Sequence, residues 1–207
     1  NTGFTVTADT GRFESESLVV ASGGLSIPKM GASGFGYQLA RQFGHEIHET
    51  SAGLVPFTFS GALRDTTERL SGISAPATVA VGDTAFTGDI LFTHRGLSGP
   101  AILQASSYWS PGEEIHIDFL PGYDAVKLLR EAKNNRSKSL LRTVLGESLP
   151  RALVRELQSL YWPEIADKPL AELRDERLAG IGAQLGRWSV KPAATEGYRT
   201  AEVTLGG

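Results

Sequence analysis

Residues 19–44 read Val-Val-Ala-Ser-Gly-Gly-Leu-Ser-Ile-Pro-Lys-Met-Gly-Ala-Ser-Gly-Phe-Gly-Tyr-Gln-Leu-Ala-Arg-Gln-Phe-Gly. The apolar run Leu18-Val19-Val20-Ala21 predicts a strand covered on both faces. It runs into the glycine-rich stretch Ser22-Gly23-Gly24, and a helix is expected from about Phe35 to Phe43. Tyr37, Leu39, Ala40 and Phe43 then fall mostly on one side, and Gly44 suits the position after the cap. A nucleotide-binding sheet presents backbone N–H groups to a phosphate in this way. Glycine allows close backbone approach, and a helix N-terminus favours negative charge. Taken alone, the loop fits a cofactor contact and a tight strand-to-helix turn equally. Gly34-Phe35-Gly36 lacks the third glycine of G-x-G-x-x-G and follows no strand, so it is not a primary dinucleotide fingerprint. Gly31, Ser33 and Gly34 are expected to shape the loop, with Ser33 placed to cap the helix.

Upstream, Phe4-Thr5-Val6-Thr7-Ala8 alternates like a half-buried strand. Asp9-Thr10-Gly11 signals a turn, and residues 12–15 return as a hairpin partner. The chain begins at Asn1 without methionine, inside a strand-like stretch, which suggests an excised or processed piece. Downstream of Gly53 the pattern changes. Residues 54–59, 77–81 and 86–93 read as strands, with Gly82-Asp83 as a turn, and residues 113–119 alternate polar and apolar. Short strands at this spacing suggest a small barrel. Ser98-Gly99-Pro100 is expected to open a helix over 101–107 with Ser98 as its cap. From Asp124 the period becomes helical, over 125–133, 139–145, 151–160 and 171–184. Strand character returns at 188–192 and 201–204.

Bulk properties narrow the function classes. The chain has 207 residues, 41% hydrophobic and 21% charged, which suits a folded core rather than disorder. It has no cysteine, hence no disulfide, thiolate metal site or cysteine nucleophile. That absence suits the cytosol, and no signal peptide or membrane-spanning run is evident. The net charge of −3 gives no general reason to expect nucleic acid as a partner. The charge is mildly uneven: residues 123–187 hold 12 Lys and Arg against 9 Asp and Glu, and the remainder holds 8 against 14, which reads as a solvated basic face ahead of a binding patch.

Other candidate chemistry is sparse. His94 and Arg95, at a strand end facing a helix start, could meet an anion or an electron-rich ring, or simply pack in a turn. His45 and His48 form H-x-x-H with no third ligand, so no metal site is assigned. Ser26, Ser33 and Ser98 lie outside G-x-S-x-G, so no hydrolase nucleophile is supported. Trp109, Trp162 and Trp188 are expected as core or interface anchors.

Three segments together resemble the BaiN/YhiN-type family of FAD-dependent oxidoreductases, a group of predicted, aminoacetone-oxidase-like flavoproteins. They are residues 18–45, with Ala21-Ser22-Gly23-Gly24-Leu25-Ser26-x-Pro28; residues 91–106, with Phe92-Thr93-His94-x-Gly96-Leu97-Ser98-Gly99-Pro100; and residues 201–207, with Glu202-Val203-Thr204-x-Gly206-Gly207. The resemblance implies an α+β, multi-part fold and an interior section of such a protein. Residues 1–53 would be a partial FAD-binding α/β segment. Residues 54–122 and 186–203 would form a translation-factor-like β-barrel, 123–185 a small helical insert subdomain, and 204–207 the return to the FAD domain.

The resemblance further implies FAD in the full-length parent. Its flavin would take a hydride from NAD(P)H or an amine-type small-molecule substrate and pass electrons onward. Ala21, Ser22, Gly23 and Gly24 would face the cofactor from one side, and Thr204, Gly206 and Gly207 from the other. His94 would border the substrate. No catalytic acid or base is implied. The chain alone, lacking the fingerprint and the ribose-binding carboxylate, is expected to be inactive and not to hold FAD tightly. The competing reading is a non-catalytic module that binds a protein or RNA through the basic residues between Lys127 and Arg155.

Overall fold

The structure, a computed structural model, describes residues 3–207; the strand-like reading at Asn1 lies outside the described residues. It is a mixed α/β protein with seven α-helices and antiparallel sheets among those residues. The chain opens with a hairpin, β1 (Phe4–Ala8) against β2 (Gly11–Ser15), in the register Phe4↔Ser15 to Ala8↔Gly11. The turn lies where Asp9-Thr10 predicts it, but the hairpin is solvent-exposed apart from Phe4 rather than half-buried.

The predicted strand at Leu18-Val19-Val20-Ala21 does not form. These residues join no ladder among the described residues, and Val19 is 85% exposed. An apolar run becomes a strand only where a neighbouring strand accepts its hydrogen bonds, and none lies beside it here. Helix α1 (Phe35–Gln42) follows as expected. Its cap is Gly34, not Ser33, with no side-chain cap bond. Its end is a Schellman motif: His45 N–H bonds Ala40 C=O and Gly44 N–H bonds Arg41 C=O, with Gly44 at φ +81°.

The remaining elements build one core. They are β3 (Ser51–Gly53), β4 (Phe57–Thr58), α2 (Gly61–Arg69), β5 (Ser74–Val81), β6 (Thr84–Phe92), β7 (Gly96–Ser98), α3 (Pro100–Ser106) and β8 (Ile115–Asp118). Then come α4 (Ala125–Asn135), α5 (Leu141–Leu145), α6 (Arg151–Tyr161), α7 (Asp175–Gly186), β9 (Trp188–Val190), β10 (Ala194–Thr195) and β11 (Val203–Leu205). Seven strands form one sheet in the order β10-β4-β7-β6-β5-β8-β9, and β11 pairs separately with β3. A flat sheet of that size would hold its outer strands about 29 Å apart. Only residues 191–193 join β9 to β10, a span of at most about 14 Å. The sheet is therefore curled, its edges drawn together, although no ladder joins them among the described residues.

Inside the curl, Ala75, Ala77, Val79 and Val81 of β5 alternate inward and meet Ile90 and Phe92 of β6. The same cluster continues without a break into Leu129, Leu145, Leu153, Trp162 and Ile181 of the helical region. Trp162 and Trp188 are buried with their indole N–H groups donating to Gln184 and Tyr161, as anchors require.

Several local readings shift. The run 54–59 is broken because Leu54 sits at φ +48°, so only Phe57 and Thr58 pair. Ser98 belongs to β7, and Gly99 at φ +95° caps α3 instead. The last long helix starts at Asp175, after a short 3-10 turn over Leu170–Glu172. Helix α2 has no apolar period, because its buried face is made by Thr66 and Thr67, whose hydroxyls donate to Ala62 and Arg64 carbonyls.

Candidate functional site

The glycine-rich segment and the C-terminal segment, far apart in sequence, meet in space. Thr204 Oγ1 accepts the Leu25 N–H at 3.0 Å and shares a hydrogen bond with the Ser26 hydroxyl at 3.1 Å. Ile27, held at φ +57°, donates its N–H to Tyr198 C=O at 2.8 Å. A β-carbon on Gly24 would stand 2.8 Å from Thr204 Oγ1 and 3.1 Å from Tyr37 OH. One on Gly207 would meet the Tyr37 ring at 2.7 Å, and one on Gly206 would strike the Glu49 carbonyl. Three segments thus converge: the loop 21–27, the first turns of α1 through Tyr37, and residues 204–207.

The glycines do different work. Gly24, Gly206 and Gly207 make room for the protein itself. Gly23, at φ +74°, has nothing within 4 Å of where its β-carbon would be. Ala21, Ser22 and Gly23 are exposed, and no hydrogen bond among the described residues uses the backbone N–H groups of 18–24. Residues 17–45 carry no Asp or Glu. The surface therefore offers unpaired donors, no repelling carboxylate and one place of unobstructed backbone approach. Beside it lies a cavity of about 630 Å³, whose lining includes Phe4, Leu18, Val20, Ser22, Phe35 and Leu39. An apolar wall with a few backbone donors fits a flat ring or a phosphate-bearing cofactor. It does not fit a metal, and no three metal-ligating side chains gather among the described residues. His45 and His48 are both exposed.

His94 is not part of this convergence. It sits exposed with Arg95 in the tight turn between β6 and β7, closed by Thr93 N–H to Gly96 C=O at 2.9 Å. Strand β7 lies between it and α3 along the chain. No hydrogen bond among the described residues links this turn to the glycine loop. Gly96 is fixed by packing, since a β-carbon there would strike the Phe57 carbonyl of β4.

Two participants were not singled out as site residues from sequence. Tyr37 read only as one residue of a helix face, yet it backs Gly24 and Gly207. Tyr198 lies in no motif, yet its carbonyl fixes Ile27, and its hydroxyl is buried with no hydrogen-bond partner among the described residues. The signal for both is three-dimensional proximity, which spacing does not carry.

The shifted titrating groups lie elsewhere, on α2 and the helical region. The Arg136 hydrogen bond holds the Glu147 carboxyl below its ordinary range, and Lys133 does the same to Asp175. Glu164 is lowered first by its own backbone N–H and then by Arg177. No helix among the described residues is long and apolar enough to cross a membrane.

Comparison with known proteins places this geometry in context. The family described as "HI0933-like protein barrel and H2TH domain" matches residues 51–203. A ribosomal RNA dihydrouridine synthase of Escherichia coli is 46% identical over all of this chain and 51% of its own length. One from Haemophilus influenzae is 41% identical over 99% of the chain and 50% of its own length. A 3-dehydro-bile acid delta(4,6)-reductase of Clostridium scindens is 25% identical over 99% of the chain and 53% of its own length. The chain thus spans about half the length of these relatives.

Proposed function

The chain belongs to the HI0933-like family, and from that premise we propose that it forms part of a flavin-dependent reductase acting on uridine in ribosomal RNA. The observation that carries this reading is the end-to-end match to the two dihydrouridine synthases, which spans both halves of the Thr204 clamp. The relatives' names share one chemistry. Making dihydrouridine saturates a C=C bond conjugated to a uracil carbonyl, and a delta(4,6)-reductase acting on a 3-dehydro steroid does the same beside a ketone. Each reduction adds a hydride and a proton to a C=C system conjugated to a carbonyl. The relatives are enzymes by name, so they lend nothing to a non-catalytic module.

A reduced flavin, when bound, would supply the hydride. In our reading it is FAD, and the chain's own residues position it. Ala21, Ser22 and Gly23 present the unpaired N–H groups, with Gly23 allowing contact without a side chain. Thr204 ties Leu25 and Ser26 and so fixes the loop's curvature. Gly24, Gly206 and Gly207 let the segments close against Tyr37 and the Glu49 backbone. His94, exposed on its turn, lies on the substrate side.

The test uses the whole protein. The chromophore released on denaturation is identified by mass spectrometry, and ribosomal RNA lacking the modification is incubated with protein and a reduced nicotinamide. The expected result is FAD at near one per chain and new dihydrouridine in the RNA. A colourless protein that leaves uridine unchanged would overturn the reading.

A further inference from the structure

We infer that the helical region presents an RNA-backbone docking surface made by Arg151 and Arg155 of α6, with Arg64 and Arg95 as a second, separate arginine pair. The inference rests on the proposed action on ribosomal RNA and adds where that RNA is held.

A cavity of about 540 Å³ opens between α5 and α6, lined by Arg142, Arg151 and Arg155. Glu147 also lines it, but its carboxylate is paired with Arg136 at 2.5 Å. Arg142 is committed to the Ala166 carbonyl at 2.6 Å and to Asp167 at 3.1 Å. Arg151 and Arg155 are exposed and join no ion pair among the described residues. A second cavity, of about 330 Å³, is lined by Thr58, Phe59, Arg64 and Arg95, and its two arginines are equally uncommitted.

Helix α2 lines the second cavity through Arg64 and touches α6 through Arg69. Arg69, at its end, binds Glu156 of α6 through Nε at 2.9 Å and Nη2 at 2.5 Å. Glu156 adjoins Arg155, and Arg64 lies about 7.5 Å back along α2 at 1.5 Å per residue. The pairing with Arg69 neutralises Glu156, whereas Asp65 and Glu68 of α2 are exposed, join no ion pair among the described residues and fall between Arg64 and Arg69 around the helix, so the two arginine pairs are separate. Arg151 and Arg155, four residues and so about one turn apart on α6, suit adjacent phosphates of one strand. Arginine forks bind phosphate bidentately without reading sequence. The overall charge of −3 hides this surface, because the excess of acid lies outside residues 123–187.

The test measures binding of the whole protein to a ribosomal RNA fragment across a range of salt. Arg151→Gln with Arg155→Gln should weaken affinity roughly tenfold and make the log–log salt slope shallower by about 1.5, the loss of two phosphate contacts. Arg64→Gln with Arg95→Gln should act in the same direction. Arg151→Lys with Arg155→Lys should restore the salt slope and only part of the affinity, which separates charge from folding, and Lys191→Gln should leave the slope unchanged. Unchanged affinity and slope in R151Q/R155Q, with RNA bound and dihydrouridine formed, overturns the surface and leaves the proposed reaction standing. A shallower slope in that variant, with no dihydrouridine formed by the unmodified protein, supports the surface and overturns the reaction.

Discussion

Gly24 and Thr204 test the convergence at the level of single atoms. Thr204→Ala removes the acceptor for Leu25 N–H and should cost about 1 kcal/mol. Gly24→Ala forces a β-carbon to within 2.8 Å of Thr204 Oγ1 and should cost about 1–3 kcal/mol. In the double variant the shortest contact, with Thr204 Oγ1, is gone and only the tight contacts with Tyr37 OH at 3.1 Å and the residue-204 Cβ at 3.2 Å remain, so the two costs should add to less than their sum by at least about 0.5 kcal/mol. Denaturant unfolding measures all three, and strict additivity would show that the two residues do not touch. Gly23 behaves differently, since its β-carbon meets open space and only the φ of +74° resists substitution. Gly23→Ala should cost about 1 kcal/mol in folding. Gly23→Val should lower the flavin-to-protein absorbance ratio of the whole protein, whereas His94→Ala should keep the flavin and raise KM or lower turnover. Full flavin in Gly23→Val together with loss in His94→Ala would reverse the two assignments. Sequence marked the glycines as a group but not their separate jobs, because spacing does not reveal which face of a loop is covered.

Helices with a clear apolar period were legible from sequence, and those without one were not. The stretches giving α4, α6 and α7 were found because Leu129, Leu153, Leu157, Leu178 and Ile181 recur at three-to-four spacing and are buried. Helix α2 escaped because threonines line its inner face, and β7 because three residues carry no period, while β4 is a two-residue remnant of the strand expected over 54–59. The run at 18–21 was over-read, since apolarity predicts burial only where a partner exists. Where α4 and α7 cross, a β-carbon on Gly182 would stand 2.7 Å from the Val126 backbone nitrogen. Gly182→Ala must push the helices apart and should destabilise by about 1–3 kcal/mol despite the better helix propensity of alanine; Gly180→Ala on the same helix meets open space and should stabilise. Equal effects of the two would refute the close crossing. The same helices carry a pH response. Lys133 and Arg136 lower Asp175 and Glu147, so the stabilisation is present above the ordinary carboxylate range, near 4, and is lost as pH falls through the depressed folded values. Helicity followed by circular dichroism should hold from neutral pH to about 4 and then decline. The stability gap between the unmodified chain and Asp175→Asn should close over that acid window. A gap that stays constant to low pH would show that the Lys133 pair contributes nothing.

At the scale of the molecule, buried apolar side chains begin at Val55, and none lies among residues 3–52. The curled sheet and the four helices after it share one core, so they should open together. The hairpin, the segment 18–24 and α1 border an apolar cavity instead of filling it, with Val19 and Phe43 largely exposed. Hydrogen exchange on the 207-residue chain should therefore show slow amides across Ser74–Val81 and Thr84–Phe92 and fast ones across 18–24. Cofactor affinity follows from the same asymmetry. Residues 17–45 offer donors on one wall but no carboxylate to receive ribose hydroxyls, and the wall is open. Calorimetric titration of the 207-residue chain with FAD should give a dissociation constant weaker than about 1 μM, a free energy smaller in magnitude than about 8 kcal/mol. Tighter binding would mean that the glycine loop and the Thr204 clamp suffice for the cofactor. Protection of 18–24 equal to that of β6, without FAD, would mean that those donors already have partners, such as a second copy paired along the exposed backbone, and the loop could not then be the surface on which a flavin rests.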